Sequence, residues 1–203
     1  AGRGRVVAFG GEGAHHLTEA YTNSGMGALI ANATRRTSGK GKKAKALVVG
    51  APEARELLVL KNIDARELEA GAWMKELGSY TALVAGEAAF NTAEARAAAV
   101  AFVTNGGGLV VAGSPWVWAQ KNPDLTVRLA YPLNLMLAPL GLAWSVDEVD
   151  EPSGGYKPEY HADILLNYAD ALILMAVDAS KEPAPFQQST AQAAATLMRA
   201  FNT

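Results

Sequence analysis

No cysteine occurs among the 203 residues. Disulfides, thiolate nucleophiles and cysteine-ligated zinc are therefore excluded from this chain. Histidine is nearly as scarce, present only as His15, His16 and His161. Glu12 and His15 stand three apart and could share a helical face, but zinc needs at least three protein ligands, and no H-E-x-x-H pair exists. No metal site is expected, and His161, in Pro158-Glu159-Tyr160-His161, reads as a helix-start or surface residue. An excess of one charge is also lacking. The formal net charge is −2 and the pI about 6.0, so the totals give no electrostatic case for nucleic acid or an anionic membrane. The longest nearly uninterrupted apolar run, Ala171 to Val177, falls far short of a membrane span. The chain opens on Ala1-Gly2-Arg3, without an initiator methionine or a signal-peptide pattern. That opening reads as a processed or excised segment.

Half of the residues are apolar, enough for one α/β domain, alone or with a helical appendage. Arg5 to Phe9, Ala46 to Val49, Thr81 to Ala85 and Leu109 to Ala112 read as short buried strands bounded by glycine or proline. Leu57 to Leu60 reads as another. Helices are expected over Gly25 to Arg36, with Met26, Leu29, Ile30 and Ala33 facing inward, and over Ala65 to Leu77, with Leu68, Ala72 and Leu77 inward. A further helix starts at Asn91, with Glu94 completing a capping box, and Gly106 to Gly108 end it. Tyr131-Pro132 opens a short helix through Leu137, and Leu142 to Val146 reads as an edge strand. Strands alternating with helices imply a mainly parallel sheet. Val149 to Pro158 reads as a linker, which places a boundary near residue 150. Glu159 to Val177 and Gln188 to Phe201 read as helices beyond it.

Sites of chemistry are few. The phosphate-loop signature is absent, and Gly10-Gly11-Glu12-Gly13 lacks the dinucleotide spacing; it reads as a glycine-rich tight turn. Lys40, Lys42, Lys43 and Lys45, with Gly39 and Gly41, read as a solvated loop. The stretch GGGLVVAGSPWVWAQKNP, residues 106 to 123, puts Ser114 where many α/β enzymes carry a nucleophile. Pro115 and Trp116 replace the small residues that such an elbow needs, and nothing in the sequence brings a base near. A turn or N-cap hydroxyl is the preferred reading of Ser114. Pro115 bends the chain here, so Trp116 and Trp118 should differ in exposure. One should pack against Phe102 or Leu109, and the other should lie nearer solvent with Gln120 and Asn122, where it could stack on a sugar ring or a partner protein.

GRVVAFG at residues 4 to 10, NGGGLVVAG, PWVWAQKNP and PLNLMLAPLGLAW together resemble one accessory domain. It is the glutamine-amidotransferase-like domain preceding the catalytic module of enhancin-type zinc metallopeptidases, a group that includes the immunomodulating metalloproteases and to which the TRP-channel-associated factors are related. The resemblance covers residues 1 to 150 and rests on Gly106 to Gly108, Trp116, Trp118, Asn134, Pro139, Gly141 and Trp144. It implies a flavodoxin-like, class I amidotransferase-like three-layer sandwich over 1–150, followed by a linker and helical appendage over 151–203. It implies no catalytic, metal or cofactor residue here, with zinc held in a separate catalytic module. By this resemblance the chain is a non-catalytic part of a secreted or periplasmic bacterial metallopeptidase acting on O-glycosylated proteins. Its partners are then other domains of the same polypeptide and, through Trp116, Trp118, Gln120 and Asn122, a glycoprotein substrate, without nucleic acid or a membrane span. The alternatives are a small-ligand-binding domain with its pocket at the carboxyl ends of the strands, and a hydrolase using Ser114.

Overall fold

Five strands pair in parallel into one sheet: β1 (Arg5–Gly10), β2 (Lys45–Val49), β3 (Asp64–Leu68), β4 (Ala82–Gly86) and β5 (Gly108–Gly113). The computed structural model describes residues 3–10, 24–69, 71–144 and 146. The expected helices after residue 150 and the three histidines lie outside the described residues. Among those described, no helix is long and apolar enough to cross a membrane.

Side chains alternate between the faces of a strand, and the two resulting cores are distinct. Ala46, Val48, Val84, Val110 and Ala112 meet α1 (Ser24–Thr37) and α2 (Pro52–Leu60). Leu47, Val49, Leu83, Leu109 and Val111 meet the opposite layer. That layer contains α3 (Trp73–Glu76), α4 (Ala93–Thr104), α5 (Pro115–Lys121), α6 (Val127–Ala130) and α7 (Pro132–Leu137). The chain is thus a parallel α/β three-layer sandwich, as its alternating pattern implies. Strands run β3-β2-β4-β5-β1 across the sheet. A flavodoxin runs 2-1-3-4-5, so here the first strand holds the edge that the last strand occupies there.

Several elements differ from the sequence reading, each for a local reason. Leu57 to Leu60 is the end of α2, not a strand: Pro52 starts the helix, and Ala54, Leu57 and Leu58 form its buried stripe at i, i+3 and i+4. Residues 65 to 68 are β3, an edge strand rather than a helix. Its charged Arg66 and Glu67 disguise it, since only Ala65 is buried; further on, Ala72 is exposed and Leu77 buried. In α1, Ile30 and Ala33 face inward as expected, joined by Gly27, Ala31 and Thr34, whereas Leu29 is half-exposed at 50%; the Met26 side chain lies outside the described residues. Leu142 to Trp144 adds no strand to the sheet, whose edges are β1 and β3.

Helix α4 starts one residue later than its capping-box signal. Asn91 has helical backbone angles (φ −67°, ψ −22°) and closes the 3-10 turn Glu87–Phe90. Thr92 is extended (φ −102°, ψ 153°) and caps the helix, its Oγ1 accepting the Ala95 N–H at 3.2 Å. A cap needs that extended backbone, which Asn91 lacks. The carboxyl end closes as expected: Gly106 and Gly107 donate to Val103 and Phe102 carbonyls at 3.0 and 2.9 Å. Thr92→Ala should therefore cost about 0.5–2 kcal/mol, whereas Asn91→Ala should stay within about 0.5 kcal/mol. Urea midpoints of the two variants check this, and a larger loss at Asn91 would contradict the assignment.

Candidate functional site

In parallel α/β sheets the working groups gather beyond the carboxyl ends of the strands. Here β4 ends at Gly86 and leads into Glu87, while β5 ends at Gly113 and leads into Ser114. Glu87 Oε2 accepts the Tyr131 hydroxyl at 2.6 Å and the Ser114 N–H at 3.5 Å. The phenol reaches that point by crossing the tip of β5. A Cβ on residue 113 would stand 2.3 Å from the Tyr131 hydroxyl and 2.4 Å from Leu133 Cδ1, so glycine is required there.

The Tyr131 ring is fully buried, held between Trp118 at 5.6 Å and Trp144 at 6.2 Å between centroids. Burial, then the hydrogen bond and charge of Glu87, hold the Tyr131 phenol far above its ordinary pKa, while the Ser114 backbone N–H pulls the other way. Trp144 is fixed by Asn134, which is 2% exposed. Asn134 Oδ1 accepts the Trp144 N–H at 2.7 Å, and Nδ2 donates to the Trp144 carbonyl at 2.9 Å and the Val127 carbonyl at 3.3 Å. The amide thereby substitutes for a strand partner along Leu142 to Trp144. The crest of the sheet is filled by aromatic rings.

Ser114 occupies the elbow position, yet its Oγ is buried without a hydrogen-bond partner. Glu87 approaches its backbone N–H, not its hydroxyl. A nucleophile needs a base within about 3 Å of its proton, so the described residues assemble no activated serine. Nor does the hydroxyl cap α5, although Ser114 stands at its N-cap. Among the described residues, no group of three His, Cys, Asp or Glu could hold a metal ion.

The tryptophans lie on α5, where Pro115 starts a helix, as its fixed φ and missing N–H allow. Both are half-buried. Trp118 packs on Tyr131, against the core that also holds Leu109. Gln120 is exposed, and Asn122 closes the helix, its Nδ2 donating to the Trp118 carbonyl at 2.8 Å. Sequence reasoning missed Glu87 and Tyr131. The glycine at 113, immediately before Ser114, was the available sign that another group crosses there.

A family model, TCAF_N ("TRPM8, N-terminal domain"), matches residues 1–158. The chain belongs to this family. A TRPM8 channel-associated factor homolog of Xenopus laevis is 41% identical over 56 residues, 28% of this chain and 6% of that protein. TRPM8 channel-associated factor 1 of Bos taurus is 45% identical over 42 residues, 21% and 5% of the two chains. TRPM8 channel-associated factor 3 of Rattus norvegicus is 39% identical over 41 residues, 20% and 4%. The matched stretches thus cover only a small fraction of these curated relatives. No solved structure matches the chain.

Membership of this family corrects the resemblance to enhancin-type metallopeptidases. The matched proteins are channel-associated factors, not zinc metallopeptidases, so the expected parent enzyme, its separate zinc module and its O-glycoprotein substrate are withdrawn. The secreted or periplasmic bacterial setting rested on that resemblance alone and falls with it, since the matched relatives are vertebrate proteins. The motifs behind the resemblance have a structural basis here: Gly106 and Gly107 close α4, Gly108 opens β5 with its N–H donating to the Thr81 carbonyl, and Asn134 holds Trp144.

Two outcomes follow from the crest. Tyr131 is neutral in the fold but ionises near its ordinary pKa of about 10 once unfolded. Its contribution is therefore complete below about pH 10 and is lost as pH rises above that value. Tyr131→Phe should flatten the decline in thermal midpoint between neutral and strongly alkaline pH, and should cost about 1–2 kcal/mol at neutral pH. An alkaline slope identical to that of the parent would contradict this. Asn134→Ala strands the Trp144 N–H and two carbonyls, and should cost at least about 2 kcal/mol with a red shift in tryptophan emission. An unmoved denaturant midpoint would contradict the clamp.

Proposed function

We propose that this chain is a protein-association domain of a channel-associated factor and that its partner is an ion channel of the TRPM8 type. The observation that carries the reading is the match of residues 1–158 to the family's N-terminal domain, supported by relatives named for their association with that channel. The crest agrees with it: where an α/β enzyme keeps reacting groups, this chain packs Trp118, Tyr131 and Trp144. Its other partners are further domains of a longer polypeptide. The association surface is the outer side of α5 to α7. These helices and their connection carry the half-buried Trp116 and the exposed Gln120, and Leu125, Leu129 and Leu135 are 51%, 65% and 44% exposed. Large apolar side chains left this exposed on one run of helices offer contact area to a partner.

The finer fold reading is an amidotransferase-related sandwich that is circularly permuted. Counted from β2, the strands follow the flavodoxin order, with β1 in the place of its last strand.

Immobilised chain should retain detergent-solubilised TRPM8-type channel, and Leu129→Asp should reduce retention about tenfold, because a charge at a desolvated contact goes unpaired. Failure of the parent chain to retain the channel would overturn the reading. Equal retention by Leu129→Asp would move the surface elsewhere.

A further inference from the structure

From Ala20 to Pro52 the sequence holds six cations and no acid. The fold brings them to one place. Arg35 and Arg36 lie in the last turn of α1, Lys40, Lys42 and Lys43 in the connection that follows, and Lys45 at the start of β2. The first five are exposed. Because β1 runs parallel to β2, Arg5 opens at the same end of the sheet, and its Nη1 lies 3.6 Å from where a Cβ on Gly39 would stand. Of the five strand starts, only β3 opens on an acid, Asp64, opposite Lys45.

The lysine turn is built rather than loose. Ser38 Oγ donates to the Thr34 carbonyl at 2.8 Å. Thr81 Oγ1 lies 3.0 Å from Ser38 Oγ and accepts the Lys45 N–H at 2.8 Å, so both ends of the turn are anchored to the start of β4. Gly39 and Gly41 take φ of +100° and +77° between those anchors, and the Lys42 N–H meets the Gly39 carbonyl at 3.3 Å. Beside the turn, Arg35 Nη2 donates to the Lys61 carbonyl at 2.5 Å. That bond brings the end of α2 against the basic helix end, and there Leu60 is 67% exposed.

We propose that this end of the sheet docks on an anionic lipid bilayer, with Lys40, Lys42, Lys43, Arg35 and Arg36 against headgroup phosphates and Leu60 entering the interface. Clusters of four to eight cations beside an apolar side chain suit such a surface. Single-stranded nucleic acid calls instead for exposed aromatic platforms, and the aromatic here, Tyr80, is buried beneath the Lys45 ammonium at 4.8 Å. With a net charge of −2 for the whole chain, the remainder is acidic, so an anionic surface attracts this end and repels the rest.

The inference is independent of the channel association, because its test contains no channel. The chain should co-sediment with phosphatidylcholine vesicles containing phosphatidylserine and not with phosphatidylcholine alone, and binding should fall as salt rises. Lys40→Glu/Lys42→Glu/Lys43→Glu should weaken binding about tenfold or more with an unchanged circular dichroism spectrum. Leu60→Ser should weaken it while leaving the salt dependence in place. If the triple variant unfolds, Lys42→Glu alone gives the same readout. Equal binding to neutral and anionic vesicles, no loss in the charge-reversed variants, or tighter binding to nucleic acid at the same salt would each overturn the proposal.

Discussion

The backbones of β2, β4 and β5 have helices above and below them, so water cannot satisfy their N–H and C=O groups. Each strand must therefore have a partner on both sides. That requirement organises the molecule. β2 and β4 pair with each other, β4 pairs with β5, and the outer sides of β2 and β5 need two more strands. The chain supplies them from different distances in sequence. β3 follows β2 directly through α2, whereas β1 comes from the start of the chain and pairs with β5 about a hundred residues later. That long-range pairing covers the outer side of β5, whose Leu109, Val110, Val111 and Ala112 belong to the two cores. The edge strands carry charge, Arg5 on β1 and Arg66 and Glu67 on β3, which discourages further pairing.

The same sheet determines what its carboxyl end can do. An elbow nucleophile works when the strand tip is open and a base faces the hydroxyl. Here Gly113 lets a tyrosine lie over the tip, and Glu87 serves that tyrosine. A carboxylate beside a serine would be a weak sign of catalysis if read from distance alone. The direction of the bonds decides otherwise: Glu87 receives the phenol and a backbone N–H, while the Ser114 hydroxyl faces no partner. Among the described residues, the crest is a packing node.

Most of the buried strands were legible in the sequence because unbroken apolar runs between glycines have few other uses: Ala46 to Val49 and Leu109 to Ala112 lie in the sheet, and so does Thr81 to Ala85 apart from Thr81, which precedes β4. Elements with one wet side were not. Arg66 and Glu67 belong to an edge strand whose pairing, not its composition, makes it a strand. The run Leu57 to Leu60 is equally apolar in either conformation, and Pro52 five residues earlier settles it as helix. The cap at Thr92 was missed because Asn91 satisfies the same side-chain rule, and only backbone angles separate them. At the site, Asn134 and Trp144 entered only through a resemblance, without a mechanism. Their hydrogen bonds supply it, and no local pattern could have shown that residue 134 would face residue 144.

Charge shows the same difference between totals and placement. A net value near zero excludes a uniformly basic protein but says nothing about separation of the two signs. Parallel strands make such separation easy, because all strand starts fall at one end and helices running back between them finish there too. α1 ends at the base of β2, so cations favoured at a helix carboxyl end by its dipole join those at the strand starts. Arg35 and Arg36 thus have a local reason to be where they are, and Lys40, Lys42 and Lys43 follow within one short connection. That local reason does not extend to the connection itself. Helix-dipole compensation fades within the last turn, and a solvated turn needs neither three lysines nor a hydrogen-bonded anchor at each end. The anchored turn and its freedom from acid are what mark this end as a surface for an anionic partner.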